Sequence, residues 1–129
     1  MREIKCRGRD ERGTWYYGYY VDGYMFDSMS GQAVKVPFIV QTQLERNVRV
    51  VAQTVGQYTG IEDKNGKGIY HKDIVRSHDG LLYIVEWDEK EAMFYYKDSY
   101  GDEDCDLRMS AVSFEVIGNE HDNPELLKN

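Results

Sequence analysis

The sequence predicts a mainly β protein with little helix, and three observations carry that prediction. Tyrosines are abundant, 11 in 129 residues, and aromatic side chains favour strands. Several short runs alternate apolar with polar residues, the period of a strand with one buried face. The pairs Asp22-Gly23, Asn65-Gly66 and Asp79-Gly80 fall between those runs, and such pairs are hairpin signals.

Residues 2–7 set Ile4 and Cys6 against Glu3, Lys5 and Arg7, which predicts a half-buried strand. Arg9 to Gly13 is a polar turn. Thr14 to Val21 is a strand by aromatic content, with Trp15, Tyr17 and Tyr19 on one face and Tyr16, Gly18 and Tyr20 on the other. Asp22-Gly23 is expected to turn the chain, so that Tyr24-Met25-Phe26 returns as the second arm of a hairpin. Residues 27–35 are small and polar, without periodicity, and read as a loop. Pro37 to Val40 is a short strand, and Pro37, having no amide to donate, places it at an edge or a strand start. Gln41 to Asn47 is ambiguous; β character returns between Arg46 and Gln53 through Val48, Val50 and Val51.

Thr54 to Val75, TVGQYTGIEDKNGKGIYHKDIV, holds the densest local signals. Asn65-Gly66 predicts a two-residue turn with positive φ at both positions. Ile69-Tyr70 and Ile74-Val75 are apolar pairs separated by His71-Lys72-Asp73. That break reads as a corner, where one strand ends, Asp73 bonds nearby amides and a new strand begins at Ile74. The pattern is that of a small, sharply curved β barrel.

Downstream, residues 73–77, 81–87 and 92–97 predict an antiparallel meander turning at Asp79-Gly80 and at Asp88–Glu91. Ser99 to Asp106 is an acidic loop, and Leu107 to Val112 a helical turn or connector. Ser113 to Ile117 is a last strand, and Asn123-Pro124-Glu125 starts a short helical turn with proline in its first position. The architecture expected is one domain over residues 1–129. Its core, about 54–118, is an SH3-like small barrel closed by the last strand, with the N-terminal β hairpin region 1–53 packed on it.

The central stretch closely resembles the YopX family of bacteriophage and prophage proteins. The residues that carry the resemblance are Thr54 to Gly60, Asp63 to Gly66, Ile69-Tyr70 and Asp73-Ile74-Val75. It extends to Arg2–Lys5 with Arg7-Gly8, to Trp15 with Tyr17-Gly18, to Glu86-Trp87, and to Glu115–Asn119 followed by Asn123–Leu127. Three positions depart from the family pattern. Cys6 stands where an aromatic is usual, Gly68 where a long polar residue is usual, and His71-Lys72 replaces an acidic-glycine pair. The resemblance implies a phage-encoded, mostly β protein; the family has no assigned reaction, so no catalytic residue is carried over.

Composition bounds the rest. A chain with 41% hydrophobic and 30% charged residues is an ordinary globular one, and no apolar run approaches the ~20 residues that span a bilayer. The basic N-terminus, Arg2, Lys5, Arg7 and Arg9, is not followed by an apolar stretch, so a secretory signal is not expected. Cys6 and Cys105 lack metal-ligand spacing and read as free thiols in a reducing cytoplasm, that of the bacterial host. The formal net charge of −7 is uneven: residues 86–129 carry 13 acidic against 4 basic side chains. An acidic chain is a poor general binder of nucleic acid, and only the N-terminal segment offers a basic face.

The aromatic hairpin 15–26 offers stacking faces for bases or a contact surface for a protein; Trp15, Tyr17 and Tyr19 are its candidate residues. In the central motif, turn geometry accounts for the glycines, Asn65 and Asp73, but less readily for Gln57, Tyr58 and Thr59, which are the other candidates. The acidic run Asp102, Glu103, Asp104 and Asp106 has oxygen ligands for a hard cation without a calcium-loop spacing, and reads better as a solvated loop. An acidic half of this kind also permits imitation of nucleic acid. His71 near Asp73 is a conceivable base with its orienting acid, but no nucleophile context accompanies it. No phosphate-binding glycine loop or dinucleotide fingerprint appears, so neither a cofactor nor a metal is expected. The function expected is that of a small non-enzymatic interaction protein, binding a host or phage protein and forming a homo-oligomer through the hairpin or the Pro37–Val40 edge. The alternative is a nucleic-acid-binding module using the N-terminal basic and aromatic strands.

Overall fold

A computed structural model describes residues 5–98, the backbone of 103–104, and 113–127. The chain is mainly β, with eleven short strands among the described residues and helix confined to single 3-10 turns. The strands lie in two antiparallel sheets, neither closed into a barrel among the described residues. Two compact units divide the chain, Met1–Gln57 and Tyr58–Asn129. Among the described residues no helix is long and apolar enough to cross a membrane.

The first unit holds β1 (Cys6–Arg9), β2 (Trp15–Asp27), β3 (Gln32–Gln41) and β4 (Arg46–Arg49), hydrogen-bonded in the order β4-β3-β2-β1. Its last residues open β5 (Gly56–Glu62), with Gly56 opposite Arg7 and Gln57 opposite Cys6. Val36, Ile39 and Val50 are its buried apolar side chains. Gly8 lies under Val50, where a Cβ would come within 2.7 Å of the valine Cγ2.

Four expectations are corrected in this unit. Of the strand expected over residues 2–7, residues 2–4 lie outside the described residues; β1 is Cys6–Arg9, and its buried members are Arg7 and Gly8 rather than Cys6, which is only half-buried. The Arg7 guanidinium stacks on Trp15, its carbon 4.6 Å from the centre of the ring. Asp22-Gly23 does not turn the chain. β2 runs straight through it, with Asp22 opposite Pro37 and Gly23 opposite Val36. The Phe38 ring fills the space a Cβ at position 23 would need, 2.5 Å away, so the glycine serves cross-strand packing. The turn lies instead within residues 27–35, where Asp27 accepts the Met29 N–H and the Gly31 N–H bonds the Asp27 carbonyl, with Gly31 at φ +71°. Finally, Pro37 is in an inner strand, between β2 and β4. Amide and carbonyl of one strand residue point to the same side. The Pro37 carbonyl accepts the Val50 N–H at 3.2 Å, so its missing donor faces the place where β4 has ended at Arg49.

The second unit contains the rest of β5, paired with β6 (Gly68–Tyr70). It also contains a sheet of order β10-β9-β8-β7-β11, built from β7 (Asp73–Arg76), β8 (Leu82–Asp88), β9 (Met93–Lys97), β10 (Glu103–Asp104) and β11 (Glu115–Asn119). The meander β7–β8–β9 matches the sequence expectation. The last strand does return, but beside β7, which leaves the sheet open. Glu103–Asp104 pairs with β9 where a loop is expected, while Leu107 to Val112 lies outside the described residues. The final strand begins two residues later than expected, at Glu115, and Pro124–Leu127 forms the expected helical turn. Ile69, Val75, Val85, Phe94, Tyr96 and Phe114 form the core. Tyr96 and Phe114 meet edge-on, with ring centres 5.0 Å apart.

The corner forms as the sequence predicts: β6 ends at Tyr70, β7 begins at Asp73, and the Asp73 Oδ2 accepts the Tyr70 N–H at 2.8 Å. Lys72 takes φ +73° there, in the place of a glycine. The Asn65-Gly66 turn differs in detail. Of its two residues only Gly66 has positive φ, and the Gly66 N–H closes onto the Asp63 carbonyl at 3.0 Å. The Asp63 side chain sets this geometry by accepting the N–H groups of Asn65 and Lys67. The same device recurs at Asp10–Gly13, where Asp10 accepts the amides of Arg12 and Thr14 and Gly13 has φ +91°. At both of these turns a short polar residue is followed three positions later by a left-handed glycine.

Candidate binding surface

Among the described residues β1 pairs with β2 only as far as Gly18, and β4 pairs with β3 only as far as Phe38. Beyond those points Asp22–Asp27 and Gln32–Pro37 continue, among the described residues, as a ribbon of two strands. A ribbon alone has no second layer to cover either face, and its side chains are correspondingly wet. Tyr24 is 69% exposed, Phe26 72% and Met29 96%, with Tyr20, Val21, Met25 and Val34 also exposed. Alternation puts Tyr20, Tyr24 and Phe26 on one face with Asp22 and Lys35, and Tyr17, Tyr19, Val21 and Met25 on the other with Val34 and Phe38. Contiguous exposed apolar surface of this kind marks interaction sites.

Polar groups tie the ribbon together. The Tyr20 hydroxyl donates to Asp22 Oδ1 at 2.5 Å, and Lys35 Nζ lies 3.3 Å from Asp22 Oδ2. The tyrosine bond lowers the Asp22 carboxyl from its ordinary pKa and raises that of Tyr20. On the opposite face Arg49 Nη1 donates to the Met25 sulfur at 3.8 Å. Beside the base of the ribbon, Tyr17 and Tyr19 border a depression of about 240 Å³ closed by Val40 to Leu44.

The sequence-selected residues divide between the units. In the first, Trp15 is half-buried, with the guanidinium carbons of Arg7 and Arg9 at 4.6 and 5.9 Å from its ring centre. Tyr17 and Tyr19 are each 43% exposed. Gln57 is half-buried opposite Cys6. In the second unit, Tyr58 packs on Tyr70 with ring centres 5.2 Å apart, and burial raises its phenol pKa. Thr59 is buried, its hydroxyl donating to the Ile69 carbonyl at 2.7 Å and accepting the Ile61 N–H at 3.1 Å. The first bond bridges β5 to β6 and the second lies within β5, where the ladder shifts register between Tyr58 and Glu62. Sequence reasoning passed over Tyr24, Met25, Phe26 and Met29 as exposed contact residues. Their signal was present: the aromatic alternation of β2 continues through Asp22-Gly23, and only the turn reading of that pair interrupts it.

Elsewhere, burial lowers the His71 pKa, and Lys72 forms an ion pair with Glu86 and a second with Glu120 at 3.6 Å. Among the described residues no group of three or more His, Cys, Asp or Glu is arranged to hold a metal ion. The acidic run Asp102, Glu103, Asp104 and Asp106, as a ligand set, lies outside the described side chains, as does Cys105. Burial raises the Cys6 thiol pKa, so it is a poor nucleophile.

No curated protein matches this chain. A family model described as YopX protein matches residues 11–128, nearly its full length. The residues matched include the ribbon, the Asp63 turn and the Asp73 corner, and the chain belongs to the YopX family.

Proposed function

We propose that this YopX-family chain is a small non-enzymatic interaction protein, encoded by a phage or prophage and acting in the cytoplasm of its bacterial host, that binds a protein partner through the β2–β3 ribbon. The observation that supports this reading is the exposure of Tyr24 and Phe26 on a strand pair that has no outer neighbour among the described residues. Large aromatic groups left in water are unfavourable alone and become favourable on association. Tyr17 and Tyr19 are exposed on the opposite face of β2 and offer a second contact surface. The nucleic-acid alternative is less well supported, because Arg7 is buried and stacked on Trp15 rather than open to phosphate.

Self-association belongs to the same reading. β4 covers Phe38 to Gln41, so a copy-to-copy contact falls to the ribbon rather than to the Pro37–Val40 edge. The second unit is proposed to be an open relative of the SH3-like barrel, a reading supported by its hairpin, corner, meander and returning last strand.

The test is affinity capture from host lysate with nuclease present, comparing the natural chain with a Tyr24→Ser/Phe26→Ser variant. A partner retained by the first and lost by the second is the expected result. Equal capture by both, or recovery that disappears with nuclease, overturns it. Light scattering across a wide concentration range, showing only the 15.1 kDa species, overturns self-association.

A further inference from the structure

We infer that the outer edge of β3 at Ala33–Lys35 is a strand-addition site for an extended acidic peptide segment of a partner protein. The inference deepens the proposed function and rests on it, adding the chemistry of what docks.

The edge follows from one hydrogen bond. Because the Pro37 carbonyl accepts the Val50 N–H, the backbone groups of Pro37 face the β4 side of β3. Strand alternation then aims the N–H and C=O of Lys35 and Ala33 to that same side. β4 does not reach them. Pro37 offers no donor to prolong the ladder, the Val51 N–H turns away to the Arg9 carbonyl at 2.8 Å, and Ala52–Thr54 coils into a 3-10 turn. Among the described residues no backbone group pairs with the outer side of Ala33 or Lys35.

Beside this edge lies an open cleft of about 530 Å³. Val36 and Val50, both buried, belong to its lining, together with Arg12, Lys35 and Arg49. Two acids, Asp10 and Glu11, also border it. The Asp10 carboxylate is already engaged by the amides of Arg12 and Thr14 and by the Tyr16 hydroxyl at 3.2 Å. The lining carries three cations against two carboxylates, and with Lys35 paired to Asp22 it is Arg12 and Arg49 that offer an acidic partner its charge contacts, on a chain whose net charge is −7. Pairing this edge with itself in a second copy brings like charges together, whereas an acidic strand brings opposite ones. Main-chain bonds to Ala33 and Lys35 supply the affinity, and alternate acidic side chains reaching the cations supply the selection.

The test uses the full chain and four labelled peptides: one alternating Glu and Thr, one alternating Lys and Thr, and two forms of the Glu peptide N-methylated on alternate residues, one in each register. Binding is read by anisotropy, and the Ala33 and Lys35 amides by hydrogen exchange. The expected result is binding of the Glu peptide, weakened about tenfold or more by Lys replacement, by N-methylation in one register, and by the surface variant Arg12→Glu/Arg49→Glu. Both amides exchange more slowly at saturation. Equal binding of all the peptides, unchanged exchange at Ala33 and Lys35, or binding of a single-stranded oligonucleotide at this arginine pair without any peptide binding overturns the inference. Partner capture that depends on Tyr24 and Phe26 without peptide addition defeats this inference alone. Peptide addition without such capture defeats only the ribbon reading.

Discussion

The Asp63 carboxylate accepts the Val116 N–H at 2.9 Å across 53 residues of sequence. Its other oxygen holds the amides of Asn65 and Lys67, so one side chain shapes a turn and anchors the last strand. Burial works to raise the Asp63 pKa, but the three amides outweigh it and hold the carboxyl below its ordinary value. A depressed carboxyl stabilises the fold above its unfolded pKa, about 3.9, and that contribution is lost as pH falls through the folded value. Asp63→Asn is expected to cost about 1–3 kcal/mol at neutral pH. The gap between variant and natural chain should narrow below about pH 3.9 in urea titrations. A gap independent of pH contradicts the electrostatic account.

Lys72 provides a separate test at the corner. Burial works to lower its pKa, yet the Glu86 hydrogen bond and the charges of Glu86 and Glu120 raise it overall. The ion pair is partly exposed and the backbone is left-handed. Lys72→Ala and Lys72→Gly both remove the charge, but only glycine relieves the backbone. The glycine variant is expected to be more stable than the alanine variant by about 1 kcal/mol, measured by chemical denaturation. The reverse order would show that the positive φ costs nothing here.

Gly18 has no such freedom. A Cβ there would stand 2.3 Å from the Val40 carbonyl oxygen, and a backbone atom inside a paired strand has nowhere to go. Gly18→Ala is expected to destabilise the chain by about 2 kcal/mol or more. A melting temperature within a degree or so of the natural chain's would refute the close approach.

The ribbon should behave oppositely. Phe26→Ser removes a side chain with little to pack on, so its stability cost is expected to be about 0.5 kcal/mol or less, even where partner capture is lost. A cost near that of a core phenylalanine, about 3 kcal/mol or more, would show that the side chain is covered.

Several features were legible because their cause is local. The Asp73 corner, the left-handed glycines at 66 and 80, the meander alternation and the proline-led last turn all follow from residues within a few positions. The YopX membership was legible too, since the motif residues stand in the sequence itself. Of the candidate surface, Tyr17 and Tyr19 were found from alternation, while Tyr24 and Phe26 were hidden by the turn reading of Asp22-Gly23.

What only the tertiary structure decided is which neighbour each strand has. Asp-Gly can turn a chain or lie flat in a strand, and here the Phe38 ring over Gly23 and the 19–27/32–40 pairing select the strand. Pro37 is excluded from a ladder only on the side its nitrogen faces, and that side is fixed by where β4 stops. Arg7 is buried, its guanidinium stacked on Trp15, eight positions away on the next strand. Thus the sequence by itself determined most of the strands and reversals, Asp22-Gly23 excepted, through φ preferences and side-chain alternation. Pairing partners and exposed edges depend on contacts between distant segments, which local preference does not encode.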